Sequence, residues 1–294
     1  STLEIKRRWN SHHVRRINLS ITETNGLEGR VYFARTGICR DMVCNHGAAY
    51  LSGLVMPEPR THHPGDIQAA LLEGARSFVP VDPACCNLGY YVRNDESNLP
   101  GYPEELAGLG LDAQQLARAL SLGTSFAGTL VSRAPAWRNS RYFRLPTGIT
   151  ASGTGFSIEV IKRAPAAKKQ VEVCFDRGKE NLGMDRLVYH LEPGPASVTA
   201  FCGERQLWST QLGSPCPKEA YEQLLSDVLI DANTAWFPGD QMVLACWDMF
   251  EPVIQNQTPE VIEYPACVQA LDAGAVYARP MAAAPCGLRT QAAC

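Results

Sequence analysis

Five short segments between residues 156 and 212 alternate apolar with polar residues and are separated by turn-forming residues. These segments are FSIEVIKR, QVEVCF, LVYHL, SVTAFC and QLWSTQL. A period-2 pattern in short runs is typical of neighbouring strands in an antiparallel sheet. With the helical segments elsewhere, it predicts an α+β protein with a predominantly antiparallel β-sheet and a few short helices.

The amino-terminal part predicts a β-hairpin. Apolar residues alternate with polar ones in INLSI at 17–21, Asn25 and Gly26 suit a tight turn, and VYF at 31–33 supplies a returning strand. The segment AAYLSGLVM at 48–56 predicts a further strand. The hairpin and this strand are both expected to belong to the predicted antiparallel sheet.

Helices are predicted where apolar residues recur at helical spacing. The first is capped by Asp66 and runs through IQAALLEGARSF. Further helices are predicted near 103–109, from Asp112 and from Pro217, whereas MVLACW at 242–247 predicts a buried strand. The stretch between the first two helices, rich in proline and asparagine, predicts an irregular connection.

The change from helical to strand pattern near residues 122–135 is the candidate domain boundary. It divides the chain into a mixed α+β lobe at 1–130 and a strand-rich lobe at 131–294 that ends in an extended tail from Asp272. A single domain is also compatible with 294 residues.

The composition excludes membrane-spanning and fibrous classes. Hydrophobic residues make up 45% of the chain, but no apolar run approaches the roughly 20 residues that a spanning helix needs. The first residues are charged and contain no apolar signal segment. The eleven cysteines are an odd number in a chain that does not need disulfide staples. We expect reduced thiols and a cytoplasmic location.

Charge is concentrated in one stretch. Residues 133–169 hold eight basic residues and one acid, whereas residues 217–294 hold three bases and ten acids. Arginine and lysine can bind phosphate, and aromatic faces can stack on unpaired bases. The candidate nucleic-acid-binding residues in this stretch are Arg133, Trp137, Arg138, Arg141, Tyr142, Phe143, Arg144, Lys162, Arg163, Lys168 and Lys169. The amino-terminal arm adds Arg7, Arg8, Arg15 and Arg16.

The basic stretch is also compatible with two different roles. It can bind the acidic carboxy-terminal part of the same or a neighbouring chain, because arginine is favoured at such interfaces. It can also be a solvated face. Its glycine-rich part lacks a phosphate-loop lysine.

Metal and hydrolase chemistry are weaker alternatives. A zinc site would need CRDMVCNH, with Cys39, Cys44 and His46, to meet Cys85 and Cys86, but no CxxC pair is present. A hydrolase would use His62 or His63 as base with Asp66 orienting it. For the second group, the alternative is a loop in which Asp66 caps a helix.

We therefore expect a non-enzymatic nucleic-acid-binding subunit, for RNA or single strands, that needs no cofactor. Its partners would be nucleic acid or an acidic protein surface, with homo- or hetero-oligomers allowed and no membrane. A structural assembly protein, such as a virion or filament subunit, is the alternative, because its basic stretch would bind an acidic surface of a neighbour. A metal-dependent hydrolase is the further alternative.

Overall fold

A computed structural model of the chain describes residues 2–138, 142–144, 150–176, 183–192, 195–212, 239–256 and 261–267. Its helices are α1 (Thr2–Arg7), α2 (Val31–Ile38), a π-helix (Cys39–Gly47), α3 (Ala48–Val55), α4 (Pro64–Arg76), α5 (Tyr102–Ala107), α6 (Ala113–Leu122) and α7 (Asp240–Asn256). Short 3₁₀ turns span Pro83–Cys85 and Pro135–Trp137.

The strands are β1 (Val14–Thr22), β2 (Cys86–Val92), β3 (Ser125–Val131), β4 (Tyr142–Arg144), β5 (Thr150–Ser152), β6 (Gly155–Ile161), β7 (Lys168–Phe175), β8 (Arg186–Glu192), β9 (Ser197–Cys202), β10 (Arg205–Gln211) and β11 (Val261–Pro265). Nine of them form one sheet in the order β10-β9-β8-β7-β1-β6-β3-β2-β11, and β4 pairs with β5.

The large sheet is mixed. Strand β1 runs parallel to β6, and β11 runs parallel to β2, while the other neighbours in the sheet are antiparallel. The prediction of a predominantly antiparallel sheet with a few short helices is therefore wrong. Local alternation cannot reveal the direction of a partner strand, because parallel and antiparallel strands share the same side-chain period.

Strand β1 is confirmed, but its hairpin is not. Ile17, Leu19 and Ile21 are buried, as the alternation predicts. The chain after the turn forms helix α2, and β1 pairs instead with β6 and β7, which are distant in sequence. Tertiary pairing has overridden a local turn signal.

Two segments predicted as strands are helices. In α3 the buried residues are Ala48, Leu51, Ser52 and Val55, whose spacing follows one face of a helix. The segment MVLACW lies in α7, whose buried residues recur in the same way from Met242 to Val253. A continuous apolar run does not distinguish a buried strand from a buried helix.

Three of the predicted helices are confirmed. The helix predicted after Asp66 is α4, which begins at Pro64 with His63 as its N-cap. Helix α5 occupies the position predicted near 103–109, and α6 is closed by a capping box in which Asp112 accepts a hydrogen bond from the backbone N–H of Gln115. The predicted helix from Pro217 and the tail from Asp272 lie outside the described residues.

The five strands predicted between 156 and 212 are confirmed as β6 to β10. Strands β2 and β3 were not predicted: β2 lies in the supposed irregular connection and β3 in the supposed domain boundary. The nine-stranded sheet takes strands from both sides of residue 130. The two-lobe division stays a prediction.

Among the described residues, no helix is both long and apolar enough to cross a bilayer.

Candidate active site

The site begins at the carboxyl ends of the parallel strands β1 and β6. Thr22 and Ile161 are partners in the parallel register, so Glu23 and Lys162 follow side by side where the two strands end. Ligands of mixed and parallel sheets commonly bind outside the carboxyl ends of such strands. The topology therefore places one acid and one base at a favoured position.

Lys162 is a buried cation. Its side chain is 1% exposed, and its Nζ donates to Glu23 Oε2 at 2.5 Å. The same Nζ lies 4.8 Å from the ring centroid of Phe33, a distance that allows a cation–π contact. A buried charge is tolerated only when it is paired, and Glu23 supplies the pair.

The backbone of Lys162 is also fixed. Its N–H donates to the carbonyl of Thr124 at 3.2 Å, and its carbonyl accepts from the Tyr264 hydroxyl at 2.9 Å. Thr124 Oγ1 and Tyr264 Oη lie 2.8 Å apart. Strand β11 thus helps to hold the lysine in place.

The π-helix carries two further titratable side chains, Asp41 and His46. Residues five apart on a regular α-helix would be separated by about 140° around the axis. In a π-helix the backbone bonds join residues five apart, which brings such side chains towards one face, and these helices occur frequently at functional sites. His46 is exposed and Asp41 is half-buried.

Electrostatics join these residues into one cluster. Burial raises the pKa of Asp41 above its ordinary value, while the positive charges of Lys162, Arg30 and His46 oppose that rise and Glu23 adds to it. These five residues, Glu23, Arg30, Asp41, His46 and Lys162, are called the β1–β6 cluster below.

The π-helix is held by close packing. A Cβ on Gly47 would lie 2.2 Å from Cδ1 of Ile158, so a larger residue there would have to displace the buried Ile158 side chain. Asn45, beside His46, donates to the carbonyl of Arg40 at 2.9 Å and accepts from Trp247 Nε1 of α7 at 3.1 Å. The backbone that carries His46 is therefore anchored on two sides.

The cluster has the groups needed for proton transfer on a small anionic, hydroxylated molecule. An exposed histidine near a carboxyl group can act as a general base. Two cations can attract an anionic group, and Glu23 can accept hydrogen bonds from hydroxyls.

Those predicted nucleic-acid-binding residues whose side chains the structure describes do not come together in one surface. Trp137 is buried in the core against Trp9 and Phe156, and its Nε1 donates to the Val55 carbonyl. It is not available to stack on a base. Among the other predicted residues of this part, Arg133 and Arg138 are exposed, Arg141 lies outside the described residues, and for Tyr142, Phe143 and Arg144 only the backbone is described.

The remaining predicted cations are divided among several places. Arg15 and Arg16 lie at the amino end of β1, whereas Lys168 pairs with Thr22 at its carboxyl end, about 20 Å away at the rise of a strand. Lys169 is the neighbour of Lys168 on β7. Arg7 is exposed and Arg8 half-buried on or after α1, while Lys162 and Arg163 are both in ion pairs.

No group of three or more possible metal ligands comes together within the described part of the chain. Cys39 and Cys44 are buried in the π-helix, where the hydrogen bond between them and burial raise the pKa of Cys44. Burial also raises the pKa of Cys86, beside Cys85. The four cysteines are thus buried in two separate places, and His46 belongs to the β1–β6 cluster instead.

The predicted hydrolase group is a helix-capping structure. His63 Nδ1 accepts a hydrogen bond from the backbone N–H of Gly65 at the start of α4, and Asp66 accepts one from the Thr61 hydroxyl. His62 is exposed. The local residues are engaged in forming the turn before α4.

Sequence reasoning missed Glu23, Arg30 and Asp41, and it assigned His46 and Lys162 to other chemistry. Glu23 and Lys162 each directly follow an apolar strand segment. Polar residues at strand ends are a usable signal only when the strands are known to be parallel neighbours. That pairing joins segments some 140 residues apart and could not be read locally.

Residues 4–113 match the family model described as glucose-6-phosphate dehydrogenase, C-terminal domain. The chain is 27% identical over 278 residues to glucose-6-phosphate 1-dehydrogenase of Chlamydia pneumoniae, covering 88% of this chain and 52% of that protein. It is 26% identical to glucose-6-phosphate 1-dehydrogenase 2 of Mycobacterium bovis, covering 87% and 51%. The chain therefore spans about half the length of the curated relatives it matches.

Solved structures show the same fold. A glucose-6-phosphate dehydrogenase in complex with glucose-6-phosphate matches with a TM-score of 0.72 and 20% identity over 91% of this chain and 55% of that one. Glucose-6-phosphate 1-dehydrogenase from Mycobacterium avium matches with a TM-score of 0.69 and 16% identity over 90% and 54%. The chain thus has the mixed-sheet fold of the matching part of these dehydrogenases.

These comparisons correct the functional predictions. The similar proteins are dehydrogenases, so the prediction of a non-enzymatic nucleic-acid-binding subunit is wrong, as are the virion or filament subunit and the hydrolase. The expectation of no cofactor is also wrong, because dehydrogenases transfer hydride to a carrier. Nothing in these matches supports a nucleic acid or an acidic protein surface as partner.

Proposed function

We propose that this chain forms the glucose-6-phosphate-binding part of a glucose-6-phosphate dehydrogenase. The observation that carries the proposal is the β1–β6 cluster, which gathers a base, two carboxyl groups and two cations at the carboxyl ends of parallel strands. Four of its members, Glu23, Arg30, Asp41 and His46, fall within the residues that match the family model.

His46 is the proposed base. Oxidation of a sugar hydroxyl to a carbonyl removes the hydroxyl proton and transfers the hydrogen on carbon as hydride. The exposed imidazole of His46 accepts that proton, and Asp41, when ionised, stabilises the imidazolium that forms. A carboxylate that supports a histidine in this way is a recurring arrangement in proton transfer.

Lys162, Glu23 and Arg30 are the proposed binding groups. Lys162 and Arg30 supply positive charge for the phosphate monoester, and Glu23 accepts hydrogen bonds from sugar hydroxyls. Because Glu23 holds the Lys162 side chain and Thr124 and Tyr264 hold its backbone, little side-chain freedom is lost when substrate binds.

A dehydrogenase of this kind needs a hydride acceptor, and a nicotinamide cofactor supplies that chemistry. The described residues do not fit a dinucleotide. The spacing nearest to a dinucleotide fingerprint, from Gly108 to Ala113, joins helix α5 to helix α6, whereas the fingerprint requires a strand before its glycines. We therefore assign no cofactor contact to these residues.

A cytoplasmic location is part of the proposal. The eight cysteines of the described residues are all free thiols, which is the state expected in a reducing compartment.

The proposal is tested by calorimetric titration of the 294-residue chain with glucose 6-phosphate, glucose and inorganic phosphate. Glucose 6-phosphate should bind at least about tenfold more tightly than either fragment, a difference of about 1.4 kcal/mol. Lys162→Gln should abolish that preference, whereas Lys169→Gln, on β7, should retain it. Equal affinities for the three compounds would contradict the proposal.

Turnover with an oxidised nicotinamide cofactor, measured in a dehydrogenase that contains this chain together with a cofactor-binding part, tests the role of the base. His46→Asn should lower kcat by about 10²–10⁴-fold with little change in KM. His62→Asn, at an exposed position before α4, is the matched control and should leave both parameters unchanged. Equal kcat values in the two variants would exclude His46 as the base.

A further inference from the structure

We propose that Glu105 of helix α5 is a positioning residue, which with Arg163 fixes the loop at residues 24–30 and so holds Arg30 and Lys162 in the β1–β6 cluster. The effect on substrate binding rests on the proposed function. The positioning of Arg30 and Lys162 by Glu105 can be tested without substrate.

The Glu105 carboxylate is the centre of a buried hydrogen-bond network. One oxygen, Oε2, accepts from the backbone N–H of Leu27 at 2.7 Å, from that of Glu28 at 3.3 Å and from the Tyr91 hydroxyl at 2.9 Å. The other, Oε1, accepts from Arg163 Nη2 at 2.5 Å. The side chains of Glu105 and Arg163 are only 11% and 15% exposed, so little water competes for these bonds.

The loop transmits this anchoring to Arg30. Arg30 Nε donates to the carbonyl of Leu27 at 3.0 Å, and its Nη2 donates to the carbonyl of Gly26. The Leu27 residue held by Glu105 thus also holds the guanidinium whose charge acts on Asp41. Two hydrogen-bonded steps therefore connect Glu105 to the cluster.

Arg163 forms the second connection, because it is the residue after Lys162. Its backbone has a φ of 55°, in the left-handed region, where a residue other than glycine is strained. The N–H of Arg163 donates to the carbonyl of Asn25 at 3.2 Å, and its own carbonyl accepts from the N–H of Cys267 at 2.7 Å. The ion pair with Glu105 helps to hold this corner, and with it the lysine.

Close packing makes the arrangement specific. A Cβ on Gly26 would lie 2.4 Å from Arg163 Nε and 2.7 Å from the Tyr91 hydroxyl. The loop therefore reaches the Glu105 network only because position 26 has no side chain. Burial raises the pKa of Tyr91, and the Glu105 charge adds to that rise, so the hydroxyl stays protonated as a donor to the carboxylate.

A glutamine cannot replace this carboxylate. The four donors approach both oxygens, and the amide NH₂ of a glutamine side chain would have to face one set of them. Glu105→Gln should therefore release the loop or Arg163 while retaining the size of the side chain. The neighbouring Glu104 is exposed, so Glu104→Gln is the matched control for charge on α5.

The first measurement follows the titration of the Asp41 carboxyl by NMR in the absence of substrate. The charges of Lys162, Arg30, Glu23 and His46 all act on the Asp41 carboxyl. Release of Arg30 removes a positive charge that lowers the pKa of Asp41, so the midpoint should move to higher pH in Glu105→Gln. Arg163→Lys, which keeps the positive charge, should show a smaller shift, and Glu104→Gln should show none.

The second measurement is the affinity of the same variants for glucose 6-phosphate. Glu105→Gln should bind about 10- to 100-fold more weakly, because a displacement on the order of 1 Å at a site can cost about 100-fold. Thermal unfolding identifies the pH and temperature range in which each variant is folded.

The outcomes separate the two proposals. An Asp41 midpoint in Glu105→Gln equal to that of the wild type, or an equal shift in Glu104→Gln, overturns the positioning role. Failure of the wild type to bind glucose 6-phosphate overturns the proposed function instead, and the Asp41 titration still decides the role of Glu105.

Discussion

Two lysine–glutamate pairs in this protein have the same length and opposite surroundings. Lys162 and Glu23 lie 2.5 Å apart at the end of the parallel strands, as do Lys6 and Glu58 at the amino-terminal helix. The side chains of Lys162 and Glu23 are 1% and 31% exposed, whereas those of Lys6 and Glu58 are 61% and 70% exposed. The N–O distance alone therefore does not determine how much each ion pair contributes to stability. That contribution depends on how far water reaches the two charges.

The buried pair is costly to make, and its position explains why it is present. Removing an ammonium group from water is strongly unfavourable, and a hydrophobic pair of the same volume is often at least as stable. A buried lysine at the carboxyl ends of β1 and β6 is thus better explained by binding than by stability. The exposed pair has no such requirement, since water solvates both groups.

The largest expected effect comes from removing the buried cation. Lys162→Met leaves Glu23, whose side chain is 31% exposed, without its partner and should lower the free energy of unfolding by about 1–3 kcal/mol. Urea denaturation measures this change. The double variant Lys162→Met with Glu23→Leu should recover part of the loss, because no unpaired charge remains.

A double variant as unstable as the sum of its single variants would contradict this expectation. It would mean that the two side chains contribute independently and that their pairing is not the reason for the cost.

The contrast between the two pairs also shows what the sequence can reveal. Both Lys6 and Lys162 lie in basic stretches, and a count of charge treats them alike. The strands β6 to β10 could be predicted because their pattern is local. The burial of Lys162 could not, since it depends on β1 pairing with β6 in parallel across about 140 residues.

The same limit explains the errors over Trp137 and His46. Trp137 lies among arginines in the sequence, yet its ring packs between Trp9 and Phe156, from segments distant along the chain. His46 shares one short segment with Cys39 and Cys44, and their spacing suggests a metal site. The π-helix that directs Asp41 and His46 into one cluster has no signature in that spacing.

An intermediate effect is expected at Asp41. Burial raises the pKa of Asp41, so the folded protein favours the protonated carboxyl. The resulting contribution to the free energy of unfolding is fully present below the ordinary pKa of an aspartate and is lost as pH rises through the raised value. Asp41→Asn removes that loss and should raise the free energy of unfolding at neutral pH by about 1 kcal/mol, as substitutions at strained functional sites often do. Denaturation at several pH values measures it.

The difference between Asp41→Asn and the wild type should vanish at low pH, where both carry a neutral side chain. A constant difference at every pH would show that packing, rather than ionisation, separates them. Loss of substrate affinity in the more stable variant would place Asp41 with Lys162 among residues kept for function.

The smallest effect is expected at the exposed pair. Lys6→Gln should change the free energy of unfolding by at most about 0.5 kcal/mol, because water and salt screen both charges. Denaturation with and without added salt checks this, and salt should reduce even that small difference. A loss approaching that of Lys162→Met would break the comparison, since it would mean that the N–O distance, rather than burial, sets the weight of an ion pair in this protein.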